Sequence, residues 1–409
     1  MNILKQGKKM KKYRLIVLLV FLSFIFVART ASSETVKGKK VPGGEDKINL
    51  ITEALKGRFG TLSIHGNAII WYQWINSGTI GGVKYKDENN AGVSPEFYLE
   101  WEPIEGGEFL VRLRYVQNGN DSQGFYSNAL YSTVDENFTL AHNKEFRVQK
   151  ALYRQNFLED RLYISVGKNY PESFIDLNKY ANDQRSQFVG QPFVDNPFLD
   201  NESSYGPTLA VGGFPLEDLE LAFVLQSITW EALPEEEQKS AWEDLFKNPF
   251  YGAQLTYSPK INGRGGNYRL YGWNFSYDCP RLDGEGTGQR WGIGISIDQE
   301  VRERAGIFAR GGYQNKKVYE APWFVSGGVS LEGLIPSRQD DTFGFGAAGL
   351  FSNRLTGNSG TEVHFEAYYR VAFSKFLALT PDLQYVLNPR GDSDNDKVIA
   401  ATLRGEFLF

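Results

Sequence analysis

Arg112, Arg114, Arg310 and Arg370, with His364 and Glu366 beside the last of them, supply the hydrogen-bonding forks of this chain. A guanidinium stays charged at every working pH and holds five donors in one plane, so it grips paired oxygens and does not move protons. A second group lies within residues 169–205. There Phe174, Tyr180, Asn182, Asp183, Gln187, Phe188, Asp195 and Asn196 mix aromatic faces with amides and acids. Rings that stack on C–H surface, next to groups that bond hydroxyls, suit weak and reversible contact with a polyhydroxylated solute. The bland counterpart for the strand charges is solvation, or pairing across a wall; for the loop it is packing against that wall.

Bond-making chemistry is poorly supplied. The histidines are His65, His142 and His364, and no GxSxG, HExxH or paired-cysteine spacing occurs. No enzyme, metal or cofactor is therefore expected. Asp392, Asp394 and Asp396 alternate near the end of the chain, but neither the glycine nor the closing glutamate of a calcium loop follows, so they read as a solvated acidic loop. Cys279 stands alone, which excludes an internal disulfide.

The elements that must position these residues are strands. Segments of alternating apolar and polar character fall at 60–76, 91–101, 108–117, 145–155, 160–168, 206–214, 219–229 and 249–258. They continue at 267–277, 289–299, 305–315, 321–333, 341–352, 361–373, 376–387 and 397–409. The even count suits a transmembrane antiparallel β-barrel of about 16 strands, an all-β fold. Connections after even-numbered segments are short (103–107, 158–160, 215–218), whereas long ones follow odd-numbered segments (118–144, 169–205, 230–248, 388–396). A barrel with short periplasmic turns and long outer loops sorts its connections in this way, and a soluble sandwich has no reason to. Within 361–373, Val363, Phe365, Ala367, Tyr369, Val371 and Phe373 share one face, opposite Glu362, His364, Glu366, Tyr368 and Arg370. The first set must meet lipid and the second the lumen, because a charge facing lipid at mid-depth costs about 2–4 kcal/mol.

Composition agrees. Aromatic residues make up 14% of the chain beside 43 glycines and a mean hydropathy of −0.38. No segment after the first stretch has the run of about 18 apolar residues that a membrane helix needs. Residues 1–33 read as a secretory signal: a lysine-rich start, an apolar run at 15–27, and Ala31 and Ser33 before a cleavage site near Glu34. Met10 is an alternative start. Removing that stretch takes seven of the 44 basic residues and no acid, leaving 37 against 49 and a net charge of −12. So acidic a chain is a poor match for nucleic acid. Residues 34–59 form a periplasmic segment with a short helix at 45–57, residues 60–409 the barrel, and 234–246 a second small helix in an outer loop. The alternating last strand, ending at Phe409, has the form of an assembly signal for the barrel-assembly machinery.

Six stretches in order resemble the carbohydrate-selective porin family (OprB-type) of Gram-negative outer membranes. They are YANDQRSQFVGQPFVDNPF at 180–198, GGNYRLYGW at 265–273, GIFARGGY at 306–313, IPSRQDDTFGFG at 335–346, EAYYR at 366–370 and LTPDLQYVLNP at 379–389. The resemblance implies 16 strands, a pore narrowed by an inward loop, and passive uptake of small sugars across the cell outer membrane, among lipid and lipopolysaccharide. On this reading the two groups named at the outset line the pore. Monomer and homotrimer both stay open, as do a general diffusion porin, a polysaccharide exporter and a structural barrel. Glu362 and Glu366 beside the arginines favour a near-neutral solute over an anionic polymer.

Overall fold

The computed structural model describes residues 60–118, 144–199, 205–227, 245–246, 249–357 and 359–409. The signal segment, the helix expected at 45–57, most of the 118–144 loop and nearly all of the 234–246 helix lie outside them.

Sixteen strands close one barrel in sequence order. They are β1 Thr61–Ile75, β2 Glu88–Glu102, β3 Gly107–Asn118, β4 Lys144–Phe157, β5 Leu162–Asn169, β6 Gly206–Leu216, β7 Leu219–Ser227 and β8 Pro249–Tyr257. The rest are β9 Arg264–Pro280, β10 Thr287–Arg302, β11 Ala305–Gln314, β12 Trp323–Glu332, β13 Thr342–Phe351, β14 Thr361–Ser374, β15 Leu377–Leu387 and β16 Val398–Leu408. Each alternating segment of the sequence holds one of them. Every neighbour pair is antiparallel, and β1 closes on β16 from Asn67↔Leu408 to Ile75↔Ala400. Closure leaves no edge to present unpaired amides to lipid. The seam is finished by Phe409, whose N–H donates to the Gly66 carbonyl while the Gly66 N–H donates back.

Loop lengths sort by parity as expected. Turns such as 103–106, 158–161 and 303–304 join strands at one end, and 170–205 and 228–248 at the other. Several strands outgrow their expected bounds, among them β9 and β10, which keep pairing past a bulge between Asn274 and Asp278 as far as Pro280↔Thr287. Alternation ends there because the hairpin has left the apolar layer, while the backbone ladder continues without it. The connection after β1 also carries an unforeseen hairpin, Gly78–Ile80 with Val83–Tyr85. It is bound to the connection before β16 by Thr79 N–H donating to Asp396 and Gly81 N–H to Asn395. Asp396 is therefore engaged within its own surface.

The faces separate as the period of two requires. Ile293, Ile295, Ile307, Val325, Phe345 and Leu383 are exposed outward, while Ser296, Asp298, Arg310, Gln384 and Arg404 are buried inside. Aromatic rings gather toward both rims, with Trp101, Phe109 and Tyr153 at one and Trp291, Tyr313 and Trp323 at the other.

The lumen departs from expectation. A polar, water-filled interior is implied by alternation alone, yet Trp71, Phe250, Tyr271, Trp273, Phe275, Phe324 and Leu350 point inward and are buried. They have something dry to meet. The 170–199 segment turns into the barrel through a 3₁₀ turn at Pro171–Ser173 and a single helical turn at Gln191–Val194. Its Ile175, Phe198 and Leu199 join one apolar cluster with β8, β9, β12 and β13; Phe188 and Phe193 join a second with Phe308 and Tyr368; Val189 joins a third with Trp71 and Val386. Glycines make room for these flat rings. A Cβ at Gly292 would sit 2.2 Å from the Trp273 ring.

Candidate functional site

The inward loop is held by charged side chains on the wall. Arg310 of β11 donates from Nε to Asp176 Oδ1 (3.1 Å), from Nη1 to the carbonyls of Ala181 and Phe193 (2.5 Å each), and from Nη2 to the Asp176 carbonyl (2.9 Å) and Asn182 Oδ1 (3.2 Å). All of its nitrogens serve the loop. Arg404 of β16 donates to the carbonyls of Gln184 (2.5 Å) and Gln187 (2.6 Å). Glu366 of β14 accepts from Val189 N (2.6 Å) and Gly190 N (2.8 Å). Asn178 donates to Ser296 and the Ile297 carbonyl, and Asn196 to Tyr271. Loop backbone that would be solvated outside is thereby bonded inside, which its burial requires.

A different group remains half-exposed on the wall formed by β1 to β4. Register puts His65, Tyr98, Arg112 and Lys150 in one lumenal row, as cross-strand pairs His65↔Tyr98, Tyr98↔Arg112 and Arg112↔Lys150. His65 stacks on Tyr98 with ring centroids 4.8 Å apart, and the Arg112 guanidinium lies 5.5 Å from the same ring. Lys150 sits 4.5 Å over Tyr170, at the base of the inward loop, and Tyr170 packs on Tyr205 at 4.9 Å. One strand position along, Glu96 is fully buried beneath the row. It accepts from Arg112 (2.5 Å), pairs with Arg185 of the loop (2.9 Å) and faces Arg114 (3.6 Å). The wall thus offers tyrosine faces next to fixed cations, and the loop narrows the space in front of them.

The residues expected from sequence divide between these two settings. Arg112 belongs to the half-exposed row, and Arg114 is buried behind it, its Nε on Ser94 Oγ. Arg310, Glu366 and Asn196 hold the loop in place. Tyr180 and Phe188 are buried in the second apolar cluster, and Phe174 packs against the first. Gln187 Oε1 accepts from the amides of Asn182 and Asp183, closing a turn within the loop. Asp195 is half-buried at the end of the single helical turn. His364 is buried on Glu362 at 2.6 Å, apart from the row. Arg370 is half-exposed and paired with Glu406 at 2.7 Å.

Sequence reasoning missed His65, Glu96, Tyr98, Lys150, Tyr170, Arg185 and Tyr205 as site residues. Two were within reach. The tight 103–106 turn fixes register, so counting outward from it sets Tyr98 against Arg112 and Glu96 against Arg114. Lys150 was hidden by a bulge opposite Arg112 and Leu113, which shifts β4 by one residue. Arg185, Tyr170 and Tyr205 arrive through a loop path that no periodicity encodes. Among the described residues no group of three or more His, Cys, Asp and Glu stands ready for a metal.

Residues 236–409 match the family model described as carbohydrate-selective porin, OprB family. A protein of Aquifex aeolicus described as uncharacterized is 28% identical over 235 residues, 58% of this chain and 61% of its own length. The matched region thus spans about three fifths of that relative. Among solved structures, Pseudomonas putida OprB at high pH superposes with a TM-score of 0.72 at 16% identity, covering 85% of this chain and 94% of that one. The outer membrane channel DcaP of Acinetobacter baumannii superposes at 0.52 with 12% identity, covering 87% and 99%. At such identities the likeness is one of fold. Sequence and fold agree in their direction: residues 236–409 match the carbohydrate-selective porin, OprB family, and the barrel they help to close has the OprB fold.

Proposed function

We propose that this chain is an outer-membrane porin through which small sugars diffuse passively, along the wall of His65, Tyr98, Arg112, Lys150 and Tyr170. The observation that carries the reading is the half-exposed row itself. Elsewhere the inward loop meets the wall through dry clusters or fully buried pairs, whereas here tyrosine faces and cations, though bonded from behind, keep part of their surface exposed. Several modest contacts of this kind let a solute enter and leave, which one tight site would prevent. Arg370 and Asp183 lie on the same reading as further contacts along the path, while Arg310, Glu366, Tyr180, Phe188 and Asn196 define its shape.

The rest of the reading follows from a barrel with an apolar outer band. The chain is exported by a signal peptide cleaved near Glu34, assembles through its last strand, and sits among lipid and lipopolysaccharide as a channel without catalysis. Its test is solute entry into liposomes carrying the mature chain, comparing glucose, a trisaccharide and neutral amino acids of similar size. Glucose entry faster than size dictates, reduced by Arg112→Ala, is the expected result. Entry ordered by size alone makes the protein a general porin, and no entry makes it a structural barrel.

A further inference from the structure

Toward the short turns the wall repeats its construction. Lys150 and Arg154 both point inward from β4, four residues apart and so about 13 Å along the strand. The Arg154 guanidinium lies 4.0 Å over the ring of Tyr163 on β5, as that of Arg112 lies over Tyr98. The stack is locked from beneath. Tyr163 rests flat on Gly212 of β6, where a Cβ would come within 2.3 Å of the ring, and its hydroxyl donates to Glu220 Oε1 of β7 (3.2 Å). Arg154 Nε donates to Asn156 Oδ1 (3.0 Å), while among the described residues neither Nη makes a hydrogen bond or an ion pair. Glu108 stands across from it in the β3–β4 register, and Arg154, Glu220 and Glu108 are all half-exposed. Between this group and the row lies another cross-strand pair, Leu110↔Leu152, also half-exposed and also facing inward. These leucines belong to none of the three apolar clusters that the inward loop joins.

We propose that Arg154 forms a second station for solute, so that the channel retains short linear oligosaccharides, disaccharides foremost, over single sugars. The inference rests on the porin reading above and names its solute class. One pyranose ring falls short of the span from Lys150 to Arg154, whereas a short chain of linked rings covers it. One end of such a chain meets Arg112 and Tyr98, and its C–H faces pass over Leu110 and Leu152. Hydroxyls at the other end accept from the Arg154 Nη groups and donate to Glu220, since a hydroxyl does both. Because Tyr163 already holds the guanidinium in place, little rotamer freedom is lost on contact. A single sugar rests at one station or the other; a disaccharide gains from both at once, as linked contacts do.

The test reads binding as interruption of the ion current through single open channels of the full exported chain in a planar bilayer, so only assembled barrels count. Maltose should bind about tenfold more tightly than glucose, the effect of one further hydrogen bond of ordinary strength. Arg154→Gln should weaken maltose about tenfold and glucose about twofold, because glucose keeps the other of its two stations. Arg154→Lys, which keeps the charge and loses the planar fork, should recover only part of that loss. Liposome entry of glucose and of a neutral amino acid of similar size is measured on the same preparation. Maltose binding no tighter than glucose, or a maltose lead that survives Arg154→Gln, overturns the second station; if glucose still outruns the amino acid, the sugar porin stands. Full recovery in Arg154→Lys makes charge the cause and overturns the fork. Entry ordered by size alone, with neither sugar interrupting the current, overturns both readings.

Discussion

Replacing Arg310 by Met separates the mechanical role of this arginine from any role in solute contact. Its side chain is buried and five donated bonds run to the inward loop, so truncation removes the loop's densest anchor while β11 keeps its ladder to β10 and β12. The larger penalty falls on Asp176, which is buried and loses its cation, keeping the Asn196 amide at 2.6 Å. Breaking one partner of a buried pair costs about 3–5 kcal/mol, most of it the stranded charge. That is roughly two to three and a half powers of ten in the ratio of docked to displaced loop. The expected result is a barrel that assembles and remains a channel but conducts more and flickers, since Glu366 and Arg404 still hold the loop's middle. Adding Asp176→Asn should restore much of the loss, because removing both charges of a buried pair is far cheaper than removing one. Single-channel recordings and thermal unfolding in micelles read both effects. Equal behaviour of the single and double variants would refute the stranded-charge reasoning, and unchanged conductance in both would refute the loop anchor.

Other positions test other layers. Gly292→Val should fail to assemble or lose several degrees of melting temperature, because its Cβ would sit 2.2 Å from Trp273, whereas Gly311→Ala, whose Cβ would find its nearest atom at 3.6 Å, should be tolerated; heat-modified gel mobility distinguishes them. At the turn before β13, the Arg338 hydrogen bond, helped by the Ala372 amide and Tyr369 hydroxyl, holds the Asp341 carboxyl below its ordinary 3.8. A carboxyl depressed in the folded state stabilises above its unfolded value and loses that contribution as pH falls through the folded one. Asp341→Asn should therefore lower the melting temperature at pH 7, with the gap to wild type closing below about pH 4. Tyr98→Ala should reduce the advantage of glucose over an amino acid of its size without lowering channel stability as Arg310→Met does, as measured by liposome swelling.

The barrel was legible because its physics is local and repeated. A period of two over ten residues, with loops sorted by parity, determines sixteen strands and their faces before any contact is known, and 361–373 shows it: Glu362, His364 and Glu366 are buried inward, as read. The interior was less legible, for the same reason. Alternation reports that Trp273 and Arg310 face away from lipid but not what they face instead, and the answer depends on a loop that crosses the lumen. Phe174 and Phe188 read as lining; Phe188 is buried in one cluster and Phe174, partly buried, packs against another. The row was hidden more simply, since it is contiguous only across four strands and one of those is shifted by a bulge.

Arginine identity alone cannot sort the two roles, but the acceptors can. Arg310 and Arg404 are bonded to main-chain carbonyls of the loop, and carbonyls cannot be lost by side-chain change, so these arginines fix geometry. Arg112 bonds a carboxylate and faces a tyrosine, and on the proposed reading its remaining exposed edge is what meets a solute. A rigid loop is what gives that edge a constant distance to the opposite side. If the loop moved freely, the tyrosines would meet a solute at varying depth and the contacts would average to bulk solvation. On the proposed reading, selectivity at the row and immobility of the loop are one property. A variant that loosens Arg310 should therefore lose discrimination among solutes even though it touches none of the residues that meet them.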